Sequence, residues 1–476
     1  MGMLQRLAKN TSIFFISQII TYLLIFFYTI YIARYLGAYG FGILSFALAF
    51  SSVFFILADL GLNTLTVREV ARDKNLAHKF LGNLLLVKIV LSIATFGLIA
   101  LLVNILGYPE NVVMVVYFIS ISIILTSIYG IFNSIFQAFE KMEYQSIGLI
   151  LNSILMFLGV LLVVYFNLGV VGFSLLYLIT SIIILIYSLI ICSYKFLIPK
   201  FEYDKEFWKI TIIEALPFGL SGLSGMLYTY IDSVMLSIIQ DNEVVGWYNA
   251  AYRIVLFLII IPGTINITIF PSMSKLHISS PESLRYVNEK YFKYMTIIAI
   301  PLGVAVTILA DRIILLIFGA DYTQSIFPLQ ILIWTIVFTF AGAGFVRLLE
   351  ATNKQFILTK ISILCMVLNI ALNLLLIPNY GLIGACVVTV LTEIALVTGV
   401  IKMGYKFDYG IPFKKILRDI IKITFASVLM GILIFYLKNI NLLLLIISSS
   451  IFYLILLYLI KEIDNEDINL IRQIIN

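Results

Sequence analysis

The chain has 476 residues, of which 62% are hydrophobic and only 12% are charged. Soluble domains typically carry about 25% charged and about 45–50% apolar residues, so this composition excludes a string of soluble domains and indicates a protein solvated by lipid. The three cysteines lie inside apolar runs and the two histidines stand alone in polar loops, so neither a disulfide framework nor a zinc site is expected.

Long apolar runs follow one another along the whole chain, separated by short polar turns. A helix needs roughly 20 residues to cross a hydrocarbon core of about 30 Å, and most of the runs are at least that long. Lipid leaves backbone polar groups no partner outside the protein, so a bundle of helices is the expected architecture. We predict an all-α integral membrane protein with about 14 transmembrane helices, at residues 11–33, 42–62, 81–104, 112–137, 146–166, 170–194, 210–238, 246–271, 291–310, 326–349, 356–377, 381–401, 417–437 and 440–460.

Basic residues are concentrated in every second loop. If the N-terminus is cytoplasmic, the outer loops carry only Arg34, Arg312 and Lys438. The inner loops then carry most of the remaining cations, including Arg68, Arg72, Lys74, Lys79, Lys195, Lys200, Lys205, Lys209, Lys275, Arg285, Lys290, Lys402, Lys406, Lys414, Lys415 and Arg418. Positive inner loops are the usual topology signal. This bias predicts a multi-pass protein of the cell membrane with both termini in the cytoplasm, and it explains the net charge of +6 without a nucleic-acid partner.

Three pairs of short segments recur in the same order. NLGVVG at 167–172 resembles NYGLIG at 379–384, residues 137–141 resemble 350–354, and residues 39–42 resemble 245–248. One such pair could arise by chance, but three at similar spacing indicate two related halves. Because each half holds six helices, both enter the membrane from the same side, and the repeat is parallel.

The repeat predicts the domain organisation. Residues 1–200 form an N-terminal lobe of six spans, residues 201–415 form a second six-span lobe, and residues 416–476 add two helices and a cytoplasmic tail. The charged, amphipathic segment 461–476 predicts a solvated tail helix. Two similar lobes around a central axis are typical of transporters that expose one site alternately to the two sides of the membrane.

Several stretches resemble a known family. They are YIARYLGAYGFGILSFALAFSSVFFILADLGLNTLTVREVAR at 31–72, YTYIDSVMLS at 228–237 and VGWYNAAYRI at 245–254. The chain is similar over essentially its whole length to the polysaccharide-type flippases, the oligosaccharide-lipid branch of the superfamily that also holds the multidrug-and-toxin exporters and the lipid II flippases. The resemblance implies movement of polyprenyl-linked sugars across the membrane, a cationic cavity and no covalent chemistry. These motifs specify the superfamily better than the substrate.

Ionisable residues inside the spans are the candidate functional residues, because each costs at least about 2.5–3.5 kcal/mol at a helix centre. A phosphate-bearing lipid needs cationic donors, which makes candidate substrate contacts of Arg34, Lys88, Arg253 and Arg347. The candidates for ion coupling or gating are Glu393, Asp59 and Asp232. No catalytic residue and no metal ligand is predicted.

Each candidate also has a structural interpretation. Asp59 with Lys88, and Asp232 with Arg253, lie at matching depths on adjacent helices and could be salt bridges that orient the helices. Glu393 could be a protonated carboxyl bonded to a neighbouring helix. Arg34 and Arg347 lie near span ends, where arginine reaches the interface at little cost.

We predict a transporter that flips lipid-linked oligosaccharide from the inner to the outer leaflet by alternating access, coupled to H⁺ or Na⁺ and without a cofactor. The expected partners are this substrate, membrane lipids and other proteins of cell-surface glycan assembly, and the expected state is a monomer. One alternative is a cation-coupled exporter of small organic molecules. A second is a membrane-embedded glycosyltransferase or ligase, which would need a larger outer loop than any found here.

Overall fold

The computed structural model describes residues 3–463 and residue 467, with side chains described for residues 15–266, 269–463 and 467. The described residues form fifteen α-helices and two short 3-10 helices, with no strand. The α-helices are α1 (Met3–Asp59), α2 (Leu62–Arg72), α3 (Ala77–Ile105), α4 (Glu110–Ala138), α5 (Met142–Tyr165), α6 (Gly169–Lys195), α7 (Lys205–Ile239), α8 (Asn242–Leu258), α9 (Ile260–Ser279), α10 (Pro281–Ile317), α11 (Ile326–Leu332), α12 (Trp334–Ala351), α13 (Gln355–Lys406), α14 (Phe413–Tyr436) and α15 (Leu442–Leu459).

Twelve helical segments of the described residues are long and apolar enough to cross a membrane. Two of them, in α1 and α13, each contain two of the predicted spans. Helix α1 runs for 57 residues and α13 for 52, whereas one span needs about 20. Non-helical backbone at Gly37 divides α1, and non-helical backbone at Gly381 divides α13. The predicted all-α membrane fold with its fourteen spans is therefore confirmed.

The two predicted glycine turns are confirmed as sharp breaks between helices. Asn167 and Gly169 have φ values of 53° and 62° in the short turn between α5 and α6. At the second turn, Gly381 has a φ of 51°, and a Cβ added at Gly384 would lie 2.6 Å from the carbonyl oxygen of Leu376. Residues eight apart in a straight helix are about 12 Å from each other, so α13 reverses direction at Gly381.

The predicted span 246–271 differs from the structure, because it divides into α8 and α9 at Ile259. Pro262 has no N–H to give to the carbonyl of Leu258, which weakens the helix at this point. The predicted solvated tail is wrong at two positions, since Glu462 and Asp467 are buried. Residues 464–466 and 468–476 of that predicted tail lie outside the described residues.

Contacts divide the chain into two compact units. Unit 1 extends to Ala250 and includes Ile370–Ala385, the hairpin around Gly381. Unit 2 comprises Ala251–Asn369 and the chain from Cys386 onward. This division by contact is separate from the division by sequence repeat, so the lobes at 1–200, 201–415 and 416–476 stay a prediction.

Side chains are distributed as lipid requires. On α3, the exposed positions include Ile93, Leu101 and Ile105, whereas Asn83 and Lys88 on the same helix are buried. A soluble helix shows the opposite arrangement, with its charged face in water. Polar groups in the spans therefore turn toward the protein interior, where they can be hydrogen-bonded.

Candidate functional site

The end of α1 carries Asp59, and it meets Lys88 of α3 inside unit 1. The Lys88 ammonium lies 2.6 Å from Asp59 Oδ1, and the Lys88 side chain is completely buried. Lys88 also donates to Ser127 of α4, at 2.8 Å to the carbonyl oxygen and 3.0 Å to Oγ. The predicted pairing of Asp59 with Lys88 is confirmed, and it ties three helices together.

The hydrogen-bond partners of this cluster match those of a charged pair. Ser127 Oγ donates its one proton to the carbonyl oxygen of Ala58 at 2.8 Å, so it accepts from Lys88. Asp59 Oδ2 accepts from the N–H of Gly61 at 3.2 Å, while Oδ1 accepts from Lys88. All three ammonium protons have acceptors and both carboxylate oxygens have donors, which describes a charged and fully satisfied ion pair.

The backbone next to this pair takes an unusual course. Leu60 and Gly61 have φ values of 50° and 83°, and they separate α1 from α2. A Cβ at Gly61 would lie 2.5 Å from the backbone nitrogen of Gly219 and 2.6 Å from the carbonyl oxygen of Ala215. Glycine is therefore required at position 61 both for its dihedral angles and for the close approach of α7. The ion pair anchors the chain where α1 ends against α7.

A second close backbone contact joins α1 to α8 within unit 1. A Cβ at Gly42 would lie 1.6 Å from the carbonyl oxygen of Asn242, and one at Gly246 would lie 2.0 Å from that of Ala38. These residues belong to the repeated segments 39–42 and 245–248, or lie beside them, so two related segments pack on each other. Gly42 and Gly61 are 19 residues apart, about 28 Å along a helix, so the contacts at Gly42 and Gly61 lie at opposite ends of one span.

Asp232 of α7 accepts hydrogen bonds from two side chains of unit 1. Its Oδ2 accepts from the Tyr248 hydroxyl of α8 at 2.9 Å, and its Oδ1 accepts from Asn373 Nδ2 of α13 at 2.5 Å. Asp232 is 2% exposed. The predicted pairing of Asp232 with Arg253 would join residues of different units and stays a prediction.

Glu393 lies in the second half of α13, half-buried in unit 2. Its Oε1 is 2.7 Å from Thr339 Oγ1 of α12, and that hydroxyl is also 2.9 Å from the carbonyl oxygen of Thr335. A hydroxyl has only one proton to give. If Glu393 is ionised, Thr339 donates to it; if Glu393 is protonated, it donates to Thr339, which in turn bonds to Thr335. The Thr339 hydroxyl can therefore serve either protonation state of Glu393.

The predicted cations differ in their remaining hydrogen-bonding capacity. Arg34 is exposed on α1. Arg347 of α12 pairs with Glu350 at 2.5 Å through Nη1, and its Nε is buried with no hydrogen-bond partner in the described part of the chain. Arg253 of α8 likewise has a buried Nε without a partner among the described residues. Lys88, in contrast, has no donor left.

Sequence reasoning missed the polar residues that complete these clusters. They are Ser127, Tyr248, Thr339 and Asn373. A signal was present for Asn373, since Asn369 and Asn373 lie four residues apart in an otherwise apolar run and so share a helix face. Single serines and threonines give no such signal, because they bond to their own helix in most membrane spans.

The fold and these enclosed charges define a multi-pass, all-helical integral membrane protein. A family model described as polysaccharide biosynthesis protein matches residues 7–277, which is more than half of the chain. The chain therefore belongs to the polysaccharide biosynthesis protein family, as the sequence resemblance predicted.

Individual relatives are similar to this chain in sequence, and solved structures are similar to it in fold. The probable low-salt glycan biosynthesis flippase Agl15 of Haloferax volcanii is 26% identical over 176 residues, which cover 36% of this chain and 37% of that protein. The alignment thus spans less than two fifths of the relative. The lipid II flippase MurJ in an inward closed conformation has the same fold, with a TM-score of 0.79 and 18% identity over 94% of this chain and 98% of that one. An inward-facing multidrug resistance MATE family transporter of the MOP superfamily gives a TM-score of 0.67 at 17% identity, covering 82% of this chain and 94% of that one.

Removing one partner of the Lys88–Asp59 pair is expected to destabilise the protein strongly. Lys88→Met leaves the Asp59 carboxylate buried without its counter-ion, which typically costs about 3–5 kcal/mol. The double variant Asp59→Leu/Lys88→Met removes both charges and should regain most of that loss. Unfolding of the purified protein in detergent, followed by circular dichroism, measures both effects.

The matched control is Lys79→Met on the same helix. Lys79 pairs with Asp204 at 2.9 Å, but the two side chains are 46% and 40% exposed, so the change in stability should be small. Equal destabilisation by Lys79→Met and Lys88→Met would show that burial of the Lys88 pair does not matter.

Proposed function

We propose that this protein moves a polyprenyl-phosphate- or pyrophosphate-linked oligosaccharide from the inner to the outer leaflet by alternating access. The observation that carries the proposal is the family match over residues 7–277. The similarity to Agl15 of Haloferax volcanii, a probable glycan biosynthesis flippase, supports it. The fold shared with a lipid II flippase is consistent with it.

The physical problem is the polar head of such a substrate. A sugar chain and a phosphate cannot enter a hydrocarbon layer of about 30 Å without losing their water, so they need a polar path through protein. The polyprenyl tail needs no such path, because it is apolar and can stay in the hydrocarbon layer. Transport of this kind moves the head group and breaks no covalent bond, so the protein acts without catalytic residues.

Phosphate recognition is assigned to Arg253 and Arg347. Each has a buried Nε without a hydrogen-bond partner in the described residues, and the planar guanidinium suits phosphate oxygens. Lys88 is less suited to this role, since binding an anion would require it to give up Asp59 or Ser127. Arg34, exposed on α1, is kept as a candidate contact for substrate entry.

The two close glycine contacts of unit 1 are proposed as the parts that open in turn. The contact at Gly42 and Gly246 and the contact at Gly61 and Gly219 lie at opposite ends of the second span. Both bring the backbones of neighbouring helices into direct contact, as small residues do at helix interfaces in membranes. Asp232, held by Tyr248 and Asn373, bridges α7, α8 and α13 in the same unit and is the candidate gating carboxylate.

Coupling to a proton gradient is proposed for Glu393. The carboxyl and the Thr339 hydroxyl exchange donor and acceptor roles when the proton arrives or leaves. Asp59 is not suited to this task, because both of its oxygens are engaged by Lys88 and Gly61. Sodium coupling at Glu393 is the alternative that the same experiment distinguishes.

We place the protein in the cell membrane as a monomer with both termini cytoplasmic, working beside other proteins of surface-glycan assembly. The second candidate function is cation-coupled export of small organic molecules. The fold shared with a MATE family transporter favours it. Flippases and transporters are among the proteins similar to this chain, which favours these two functions over a membrane-embedded glycosyltransferase or ligase.

Reconstitution in liposomes tests the proposed substrate. We expect a fluorescent polyprenyl-pyrophosphate sugar in the outer leaflet to become protected from an added membrane-impermeant quencher only when the protein is present. The double variant Arg253→Gln/Arg347→Gln should slow this movement by roughly tenfold or more, because hydrogen bonds to charged groups contribute about 1.5–3 kcal/mol each. Transport of an organic cation with no movement of the lipid would instead establish the exporter.

Substituting Glu393 tests the coupling site. We expect Glu393→Gln to abolish the stimulation of flipping by a proton gradient while leaving movement without a gradient intact, since glutamine cannot bind or release the proton. Thr339→Val should weaken the same response. The rate ratio with and without a proton or sodium gradient is the measurement.

The matched controls for this experiment are Glu282→Gln at the exposed start of α10 and Thr359→Val at a half-buried position of α13, where the hydroxyl bonds to the carbonyl oxygen of Gln355 on its own helix. Both should respond to the gradient as the unmodified protein does. A normal gradient response in Glu393→Gln would reduce Glu393 to a packing residue, whereas a response to sodium alone in the unmodified protein would assign a sodium site.

A further inference from the structure

Charged residues gather where the start of α10, the start of α14 and the segment after α15 meet in unit 2. Helix α10 has 37 residues, about 55 Å, so it is much longer than a hydrocarbon core of about 30 Å. Five of its seven charged residues lie within the first 13 positions, and its long apolar stretch follows Tyr294. This end of α10 therefore lies at or beyond the level of the lipid headgroups.

A cavity of about 240 Å³ opens at this place. Six of the side chains that line it are cationic, namely Lys290, Lys293, Lys415, Arg418, Lys422 and Lys461. Three are acidic, namely Glu289, Asp419 and Glu462, and Tyr286 completes the lining. The excess of cations gives the cavity a positive potential, which favours an anion.

The spacing of the cations along α14 and α10 places them on one face of each helix. Lys415, Arg418 and Lys422 follow each other at intervals of three and four residues on α14, so they share one face of that helix. Tyr286, Lys290 and Lys293 follow the same rule on α10. Two helix faces thus present polar side chains to the same cavity.

One edge of this cluster already binds an oxyanion of the protein itself. The Asp467 carboxylate accepts from Lys290 at 2.7 Å, from Lys293 at 2.6 Å and from the Tyr294 hydroxyl at 2.7 Å. Asp467 is 1% exposed. At the α10 edge of the cavity, Lys290, Lys293 and Tyr294 therefore bind a carboxylate that is shielded from water.

The α14 side of the cavity is less completely satisfied. The Lys422 ammonium lies 3.4 Å from Glu462 Oε2 and 3.3 Å from the carbonyl oxygen of Lys461, both longer than a good charge-assisted bond. Arg418 contacts Asp419 at 3.1 Å, with 61% of its side chain exposed. Lys415 pairs with Glu289. These three cations keep capacity for a further acceptor.

Glu462 is a further residue of the cavity lining whose carboxyl group could form a hydrogen bond to a bound anion. It is 3% exposed, and its Oε1 has no hydrogen-bond partner within residues 3–463 and 467. Burial raises the pKa of Glu462, and the neighbouring Asp419 raises it further. A protonated Glu462 carboxyl would donate a hydrogen bond to an anion in the cavity.

We propose that this cavity is a phosphate-binding site, in which Lys415, Arg418 and Lys422 of α14 bind the phosphate group of an anionic phospholipid or of a soluble phosphate compound. A basic pocket between helices at headgroup level is the setting in which anionic lipid headgroups bind. The site uses none of the charges to which the transport proposal assigns substrate or coupling roles, so the two proposals can fail separately.

Binding of inorganic phosphate to the full-length protein in an uncharged detergent is the first test. We expect phosphate to raise the midpoint of thermal unfolding more than chloride at equal ionic strength. Arg418→Gln, at a largely exposed side chain, should raise the apparent dissociation constant roughly tenfold. The triple variant Lys415→Gln/Arg418→Gln/Lys422→Gln should show no specific response. Lys414→Gln, an exposed neighbour that does not line the cavity, should bind as the unmodified protein does.

A second arm separates the two sources of phosphate. The protein is placed in phosphatidylcholine nanodiscs with and without phosphatidylglycerol, and native mass spectrometry counts the lipids that remain bound. Retention of phosphatidylglycerol that depends on Arg418 assigns a lipid headgroup. Binding of inorganic phosphate or glycerol phosphate without lipid retention assigns a soluble ligand.

Three results would overturn the proposal: phosphate acts no differently from chloride, Arg418→Gln binds normally, or Lys414→Gln loses binding equally. If the triple variant does not fold, Arg418→Gln alone decides the matter. Flipping activity is not the readout in any arm, so failure of the transport proposal leaves this test intact.

Discussion

An ammonium ion inside a lipid-solvated bundle must have every proton bonded, and the position of Lys88 shows how this protein meets that requirement. Neither lipid nor water can supply an acceptor at that depth, so Asp59 and Ser127 supply all three. The same contacts hold the end of α1, the middle of α4 and the backbone turn at Gly61 in one arrangement. Because Gly61 lies against α7, the ion pair also determines where α7 can pack.

The same requirement applies to the other ionisable residues. Asp232 accepts hydrogen bonds from Tyr248 and Asn373. Glu393 bonds to a hydroxyl that can serve either protonation state. Fully satisfied groups stabilise the fold, whereas groups with spare hydrogen-bonding capacity or with two allowed proton arrangements are the ones to which we assign proposed substrate and ion roles.

Much of the fold could be predicted because lipid allows a membrane-spanning segment to adopt only a few structures. Apolar runs of the length of a bilayer become helices, and the turns at Asn167 and Gly381 were visible as short polar breaks. The Asp59–Lys88 pair could be predicted from depth, since opposite charges at the same level of adjacent helices attract each other and can form a salt bridge. The family followed from glycine, aromatic and charge patterns that no single helix requires.

Other features depend on contacts between distant segments, which local patterns do not encode. The packing of Ile370–Ala385 with unit 1 is one example, since its sequence is that of any membrane hairpin. Burial of Asp467 is another, because the three residues before it are polar while Lys290 and Lys293 come from more than 170 residues earlier. The contact of Ser127 with Lys88 could not be predicted either, because a serine in an apolar run has many possible partners. Contacts between residues distant in sequence, more than secondary structure, were therefore the part of the fold that could not be predicted.

The ionised state of Lys88 is the central claim, and solid-state NMR of the full-length protein in lipid bilayers tests it most directly. Lysine labelled with ¹⁵N at Nζ and aspartate labelled with ¹³C at the carboxyl carbon allow dipolar coupling between Lys88 and Asp59 to be measured. A charged ammonium signal strongly coupled to a carboxylate, and absent in Asp59→Leu/Lys88→Met, is the predicted result. A neutral amine signal, or a Lys88 signal with no coupling to any aspartate, would contradict it.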